Sequence, residues 1–296
     1  MSRDEIGPAP QRFRHELADG HLSGLAWPGP RKPRLVFIHA NGFCASAYRA
    51  VLSRLATNFD ILAPDLRGHG TSRLPVHPDR HHSWDIYARD VCAWLTALDH
   101  PADALAGHSM GAIVALLSAA RQDRPTPLAL IEPVVMPSPL YLMARSPLRG
   151  LIRGRIGIAN AARRRFNGWP ERALAAKRYA RHKTFRNWAD GVLDDYLEDG
   201  LMPDGDGGVC LACDPLWEAA NYEAQGHDIG RALGRVSAPV HVLKAEHAST
   251  IINRRALTGR GIGIDLLAGS GHLAPMEAPG PVADWLAARL ARTDAD

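Results

Sequence analysis

Gly107-His108-Ser109-Met110-Gly111 is the stretch of this sequence best suited to covalent chemistry. It ends DALAGH (103–108), a run with the length and apolarity of a buried strand. It opens MGAIVALLSAA (110–120), which is small and aliphatic on every side, as in a helix buried against a sheet. In that frame a G-x-S-x-G pattern predicts a sharp, strained turn with the serine hydroxyl displayed at its apex. A Cβ at either glycine would clash, which is why those positions are glycine. A serine hydroxyl is a weak nucleophile until a base removes its proton. Gly271-His272-Leu273 stands directly after the late apolar run GIGIDLLAG (261–269) and before the closing helical stretch. Of the fourteen histidines, only His247, one strand earlier, has a comparable position. Ser109 is therefore the candidate nucleophile and His272 the candidate general base.

Several elements must bring these two together. Residues 11–27 read as two short strands around the turn Ala18-Asp19-Gly20. RLVFIHA (34–40), FDILAPD (59–65), DALAGH and PLALIEP (127–133) are continuous apolar runs of strand length. The helix-length stretches Ala45–Thr57 and Ser83–Leu98 alternate with them, which predicts an α/β fold with a mostly parallel sheet. From Pro137 to about Gly226 the pattern breaks. That segment holds the helical stretches Glu171–Lys183 and Asn187–Asp199 and a turn at Asp204–Gly208, and no convincing buried strand. APVHVLKA (238–245) restarts the alternation. In the last helix Val282, Trp285, Leu286 and Leu290 share one face.

At 296 residues, with 46% hydrophobic and 22% charged residues, the chain has ample material for a buried core. The polar, Pro-containing start carries no secretory pattern, and no run approaches the roughly 18 apolar residues of a membrane span. A cytoplasmic protein is expected. Cys44 and Cys92 read as core thiols. Cys210 and Cys213 form a lone CxxC without the second ligand pair that zinc requires. The net charge of +4 is uneven: Arg145 to Arg186 contains thirteen Lys or Arg and one acidic residue, Glu171. Such a face reads as a solvated helical surface or as one that steers an anionic substrate. It lacks the interleaved aromatics of a single-strand nucleic-acid surface, so no nucleic-acid partner is expected.

Four stretches together resemble the α/β-hydrolase superfamily, from the first strands to the last helix: His39-Ala40-Asn41-Gly42-Phe43, Asp65-Leu66-Arg67-Gly68-His69-Gly70-Thr71-Ser72, the turn at 107–111, and Gly271-His272. The resemblance implies an esterase-like serine hydrolase with the α/β-hydrolase fold. Residues 1–136 and 227–296 would form its core, and 137–226 an inserted helical cap that shapes the pocket. Asp65, Arg67 and His69 are implied to be scaffold. The resemblance also implies an oxyanion hole of two backbone N–H groups. One is Met110, after the nucleophile. The other lies on the loop after FIHA, where Ala40 replaces the family's usual glycine; it maps to Asn41, with Gly42 or Phe43 in a neighbouring register.

The orienting acid should lie between the serine and the histidine in chain order. The family's usual home, the loop after 238–245, offers Ala248 and Ser249, which cannot serve. Two candidates remain. Glu132 ends PLALIEP, a position that some related enzymes use, haloalkane dehalogenases among them; Glu246 stands just past 238–245. Glu132 is favoured, because a carboxylate ending a buried strand is costly unless paired.

The implied reaction is hydrolysis of an ester, thioester or similar acyl bond through a Ser109 acyl-enzyme, with a small-molecule substrate and no cofactor or metal. A serine nucleophile, where epoxide hydrolases and haloalkane dehalogenases use aspartate, disfavours their chemistry. C–C bond hydrolysis, acyl transfer and perhydrolysis would use the same residues. A ligand receptor on this frame is the alternative from another class. Leu140, Tyr141, Leu142, Met143, Phe166, Trp169, Trp188, Leu193, Tyr196 and Trp217 suggest an apolar pocket or the packing of the cap. No pattern in the sequence sets an oligomeric state.

Overall fold

A computed structural model describes residues 7–146 and 154–291. The first six residues of the expected core, Arg149 and Arg153 of the basic stretch, and residues 292–296 lie outside the described residues.

The chain opens with an antiparallel hairpin, β1 (Gln11–Leu17) and β2 (Gly20–Trp27). The alternation follows as β3 (Arg34–Ile38), α1 (Arg49–Leu55), β4 (Asp60–Pro64), α2 (Asp85–Thr96), β5 (Ala104–His108), α3 (Met110–Ala119) and β6 (Leu128–Ile131). The broken region holds α4 (Ser138–Arg145), α5 (Gly157–Arg163), α6 (Arg172–Ala180), α7 (Val192–Gly200), the antiparallel pair β7 (Leu201–Pro203) and β8 (Val209–Leu211), and α8 (Pro215–Glu223). The alternation resumes with α9 (Ile229–Arg235), β9 (Val240–Ala245), α10 (Arg255–Thr258) and β10 (Ile264–Leu267), and the described chain closes with α11 (Ala274–Glu277) and α12 (Pro279–Leu290).

One eight-stranded sheet runs β1-β2-β4-β3-β5-β6-β9-β10, parallel except where β2 pairs with β1 and β4. Side chains alternate across it. Leu35 and Phe37 of β3 pack with Val51, Leu52, Leu55 and Leu286 from α1 and α12. Val36 and Ile38 pack with Trp94, Val114 and Leu233 from α2, α3 and α9. Both faces are covered, so the strands read as continuous apolar runs. Every residue of α3 is buried.

Register sets Ile38 beside Gly107, His108 beside Ile131, and Ile131 beside Leu243. The loops after β3, β5, β6 and β9 therefore leave the sheet at one level and on one edge. That edge is where open parallel sheets bind ligands.

The structure departs from the sequence reading in three places. The stretch expected to be helical from Ala45 begins with a 3-10 turn over Ala45–Tyr48. The Asp204–Gly208 turn is flanked by β7 and β8, strands too short and too exposed to leave an apolar run; Asp204 Oδ1 closes the turn by accepting the N–H groups of Asp206 at 2.9 Å and Gly208 at 2.8 Å. Cys92 is only half-buried, whereas Cys44 is fully buried. Among the described residues no helix is long and apolar enough to cross a membrane.

Candidate active site

The turn between β5 and α3 holds Ser109 at φ 56° and ψ −116°, a region that side chains rarely occupy. The glycines on either side permit this. A Cβ on Gly107 would come within 2.5 Å of the Gly111 carbonyl, and one on Gly111 would collide with the carbonyl oxygens of Ile38 and His39. Ser109 N–H donates to the Ile131 carbonyl at 2.9 Å, tying the turn to the end of β6.

His272 Nε2 lies 3.0 Å from Ser109 Oγ, and its Nδ1 lies 3.0 Å from Glu132 Oε2. An ionised carboxylate only accepts, so Nδ1 carries the ring proton and Nε2 is free to accept from the serine. Glu132 is fully buried, with φ 47°. Its Oε1 accepts Ala245 N–H at 2.7 Å and Ser249 Oγ–H at 2.8 Å; its Oε2 also accepts Thr250 N–H at 2.9 Å. Burial pushes this carboxyl up, but His272 and the N–H groups of Thr250 and Ala245 outweigh it and hold the group below the ordinary glutamate value. Ser249 cannot be an acid, yet here it helps to hold one. Ala248 beside it has φ 51°, so Ser109, Glu132 and Ala248 concentrate backbone strain around one point.

Glu246 is placed elsewhere. It is exposed, accepts Gly269 N–H at 2.7 Å and lies 3.8 Å from His247. The structure brings Ser109, His272 and Glu132 together and leaves Glu246 outside that group.

On the loop after β3, Gly42 N–H donates to His69 Nε2 at 3.1 Å and Phe43 N–H to the Ala40 carbonyl at 3.2 Å. Among the described residues the N–H groups of Asn41 and Met110 meet no acceptor. Met110 also opens α3, where the helix dipole favours negative charge. The Asn41 side chain is clamped by α8: its Nδ2 donates to the Glu218 carbonyl at 3.0 Å, and its Oδ1 accepts from Asn221 Nδ2 at 2.8 Å. Asp65 accepts Ala45 N–H at 2.7 Å and Thr71 N–H at 2.8 Å, and burial pushes its carboxyl up to about 6. Arg67 forms a two-point pair with Asp90 at 2.8 Å each.

Sequence reasoning missed Tyr48 and His108. The His272 carbonyl can only accept, so His108 Nε2, 2.8 Å away, donates to it. His108 Nδ1 then accepts from Tyr48 Oη at 2.8 Å, and Tyr48 Oη accepts Ala40 N–H at 3.0 Å. One buried chain thus joins the loop after β3, the serine turn and the histidine loop. The only available signal was a polar residue inside an otherwise apolar run.

These buried histidines predict an acid-sensitive fold. Burial lowers His108 to about 3, and His69, His81 and His227 to about 4, from 6.5. The unfolded chain binds protons that the folded chain refuses. The stability is therefore complete above pH 6.5 and is lost as pH falls toward 4. Denaturant unfolding near pH 5 should take up about four protons through these groups; a pH-independent unfolding free energy between pH 7 and 5 would contradict this.

A cavity of about 1100 Å³ opens over Ser109 and His272. Met110, Val134 and Met136 from the core and Leu140, Phe166 and Trp169 from the 137–226 segment are among its apolar walls. Tyr196 also lines it. The other residues expected at an apolar pocket serve differently. Trp188 and Trp217 are buried in packing, Leu193 packs against the core, Tyr141 Oη donates to the Val134 carbonyl, and Leu142 and Met143 are exposed. Among the described residues no group of three or more His, Cys, Asp or Glu side chains is arranged to hold a metal ion, and Cys210 and Cys213 are free thiols.

The sequence profile of the alpha/beta hydrolase family matches residues 35–285. A protein of Mycobacterium phage D29 provisionally named a non-heme haloperoxidase is 35% identical over 124 residues, which are 40% of this chain and 43% of that protein. A haloalkane dehalogenase of Agrobacterium fabrum (strain C58) is 33% identical over 122 residues, 39% of each chain. The chain thus spans less than half the length of these curated relatives. Among solved structures, a thioesterase domain from the curacin biosynthetic pathway superposes with TM-score 0.75 at 18% identity, covering 94% of this chain and 99% of that one.

Proposed function

The chain belongs to the alpha/beta hydrolase family and has its fold, and on that premise we propose that it hydrolyses an ester, thioester or similar acyl bond through a Ser109 acyl-enzyme. The observation that carries this reading is the line Ser109 Oγ, His272, Glu132, with both links at 3.0 Å, beside two unengaged N–H groups. Ser109 Oγ attacks the acyl carbon while His272 Nε2 takes its proton, and Glu132 stabilises the resulting imidazolium. The N–H groups of Asn41 and Met110 hold the oxyanion; one such donor supports about 2.7–4 kcal/mol of barrier lowering. The imidazolium returns the proton to the leaving group, and water repeats the sequence to free the acid. Residues 137–226 act as the cap, since the described residues among them supply much of the cavity's outer wall and, through α8, clamp Asn41.

The dehalogenase relative does not redirect this reading. Its name describes that protein, and a serine occupies the nucleophile position here. The test is a fluorophosphonate probe followed by peptide mapping, beside rates on p-nitrophenyl esters of graded chain length. Stoichiometric labelling of Ser109 with ester turnover is expected. A folded protein that is neither labelled nor active would be a receptor on this frame instead.

A further inference from the structure

The basic stretch of the 137–226 segment has a use that the acyl chemistry does not require. Arg164, Arg178 and Lys183 are exposed, yet all three line the cavity, so they stand at its mouth. Among the described residues none of the three pairs with a carboxylate. The carboxylates lining the same cavity are all engaged. Glu218 is bound by Arg165, Glu223 accepts from Arg163 at 2.6 Å and Gly154 N–H at 2.8 Å, and Glu277 accepts Gly271 N–H at 2.6 Å. Glu277 keeps its charge, but the three unpaired cations outnumber it, and a cleft with that excess of positive charge over apolar walls concentrates anions. Arg178 is also held in place, with its guanidinium 5.1 Å from the centre of the Phe166 ring, which itself packs edge-on against Trp169. The volume of about 1100 Å³ has room for a long apolar chain together with a polar head.

We infer that Arg164, Arg178 and Lys183 form an anion subsite at the cavity mouth, binding the phosphate or carboxylate of a substrate whose apolar part extends toward Ser109. For the reaction this rests on the acyl-transfer reading; for binding it stands alone.

The experiment uses Ser109→Ala protein, so that turnover plays no part, titrated calorimetrically with octyl phosphate, octanoate and octanol. At about 20 mM salt at least one of the two anions should bind about tenfold tighter than octanol, and most of that advantage should vanish at about 0.5 M salt. Adding Arg164→Gln, Arg178→Gln and Lys183→Gln together should abolish the advantage while leaving the thermal midpoint with the parent. Should the triple variant unfold, the three single variants carry the same test. Preference for octyl phosphate assigns a phosphate-bearing substrate, and preference for octanoate a carboxylate-bearing one. No advantage of either anion over octanol, or an advantage that survives the substitutions, overturns the subsite. Failure of fluorophosphonate labelling with anion binding intact would sink only the hydrolase reading.

Discussion

Ser109→Ala should lower kcat on a p-nitrophenyl ester about a million-fold, and His272→Ala should cost about as much. The double variant should be no worse than either single one, because the hydroxyl and the imidazole act as one unit. The two side chains meet at 3.0 Å, and the ring's other nitrogen is committed to Glu132, so neither has an alternative partner for the proton. Alanine keeps the Cβ that serine places at φ 56°, so backbone strain is unchanged and the unfolding midpoint should stay close to that of the parent. That separates lost chemistry from lost structure. Losses that multiply in the double variant, or a Ser109→Ala protein retaining more than about one per cent of its turnover, would remove the relay from the reaction.

Glu132→Gln should lower kcat about ten-thousand-fold, whereas Glu246→Gln should leave it within about twofold. The four donors that face Glu132 are the N–H groups of Ala245 and Thr250, the Ser249 hydroxyl and His272 Nδ1. A glutamine must turn its NH2 toward one of these donors. Against His272 it donates to Nδ1, which moves the ring proton to Nε2 and leaves nothing to accept from Ser109. Glu246 has no such leverage: its Oε2 accepts Gly269 N–H at an exposed position. Glu132→Gln should also flatten the acid limb of the stability profile. The carboxylate's contribution is present above the ordinary value of 4.5 and is lost as pH falls through its lowered folded value. Equal losses in the two variants would refute the assignment of the acid. A stability profile unchanged by Glu132→Gln would remove the linkage.

Much of this was legible along the chain because it depends on neighbours in sequence. The serine turn is a steric pattern five residues long, and buried parallel strands advertise themselves as apolar runs. His272 stands out as the histidine on the loop that leaves the last strand. The acid was different. Glu132 and Glu246 both follow strands, and what separates them is a side chain's direction and the donors it meets, contributed from more than a hundred residues away. The proposed second oxyanion donor had three neighbouring candidates in sequence; His69 and the Ala40 carbonyl engage the N–H groups of Gly42 and Phe43 and leave that of Asn41.

The chain of His108, Tyr48 and Ala40 left little signal beyond a polar residue in an apolar run, since the links from His108 to Tyr48 and to His272 join segments far apart in number. The basic stretch was visible as composition, but composition cannot say which charges are neutralised. Short-range sterics and hydrophobic periodicity are written in consecutive residues, so the succession of strands and helices, and Ser109 and His272 as the candidate nucleophile and base, could be read along the chain. Hydrogen bonding and charge pairing act between segments that meet only after folding, so which carboxylate meets His272, which N–H groups stay unengaged and which cations stand at the cavity mouth emerge from the folded chain alone.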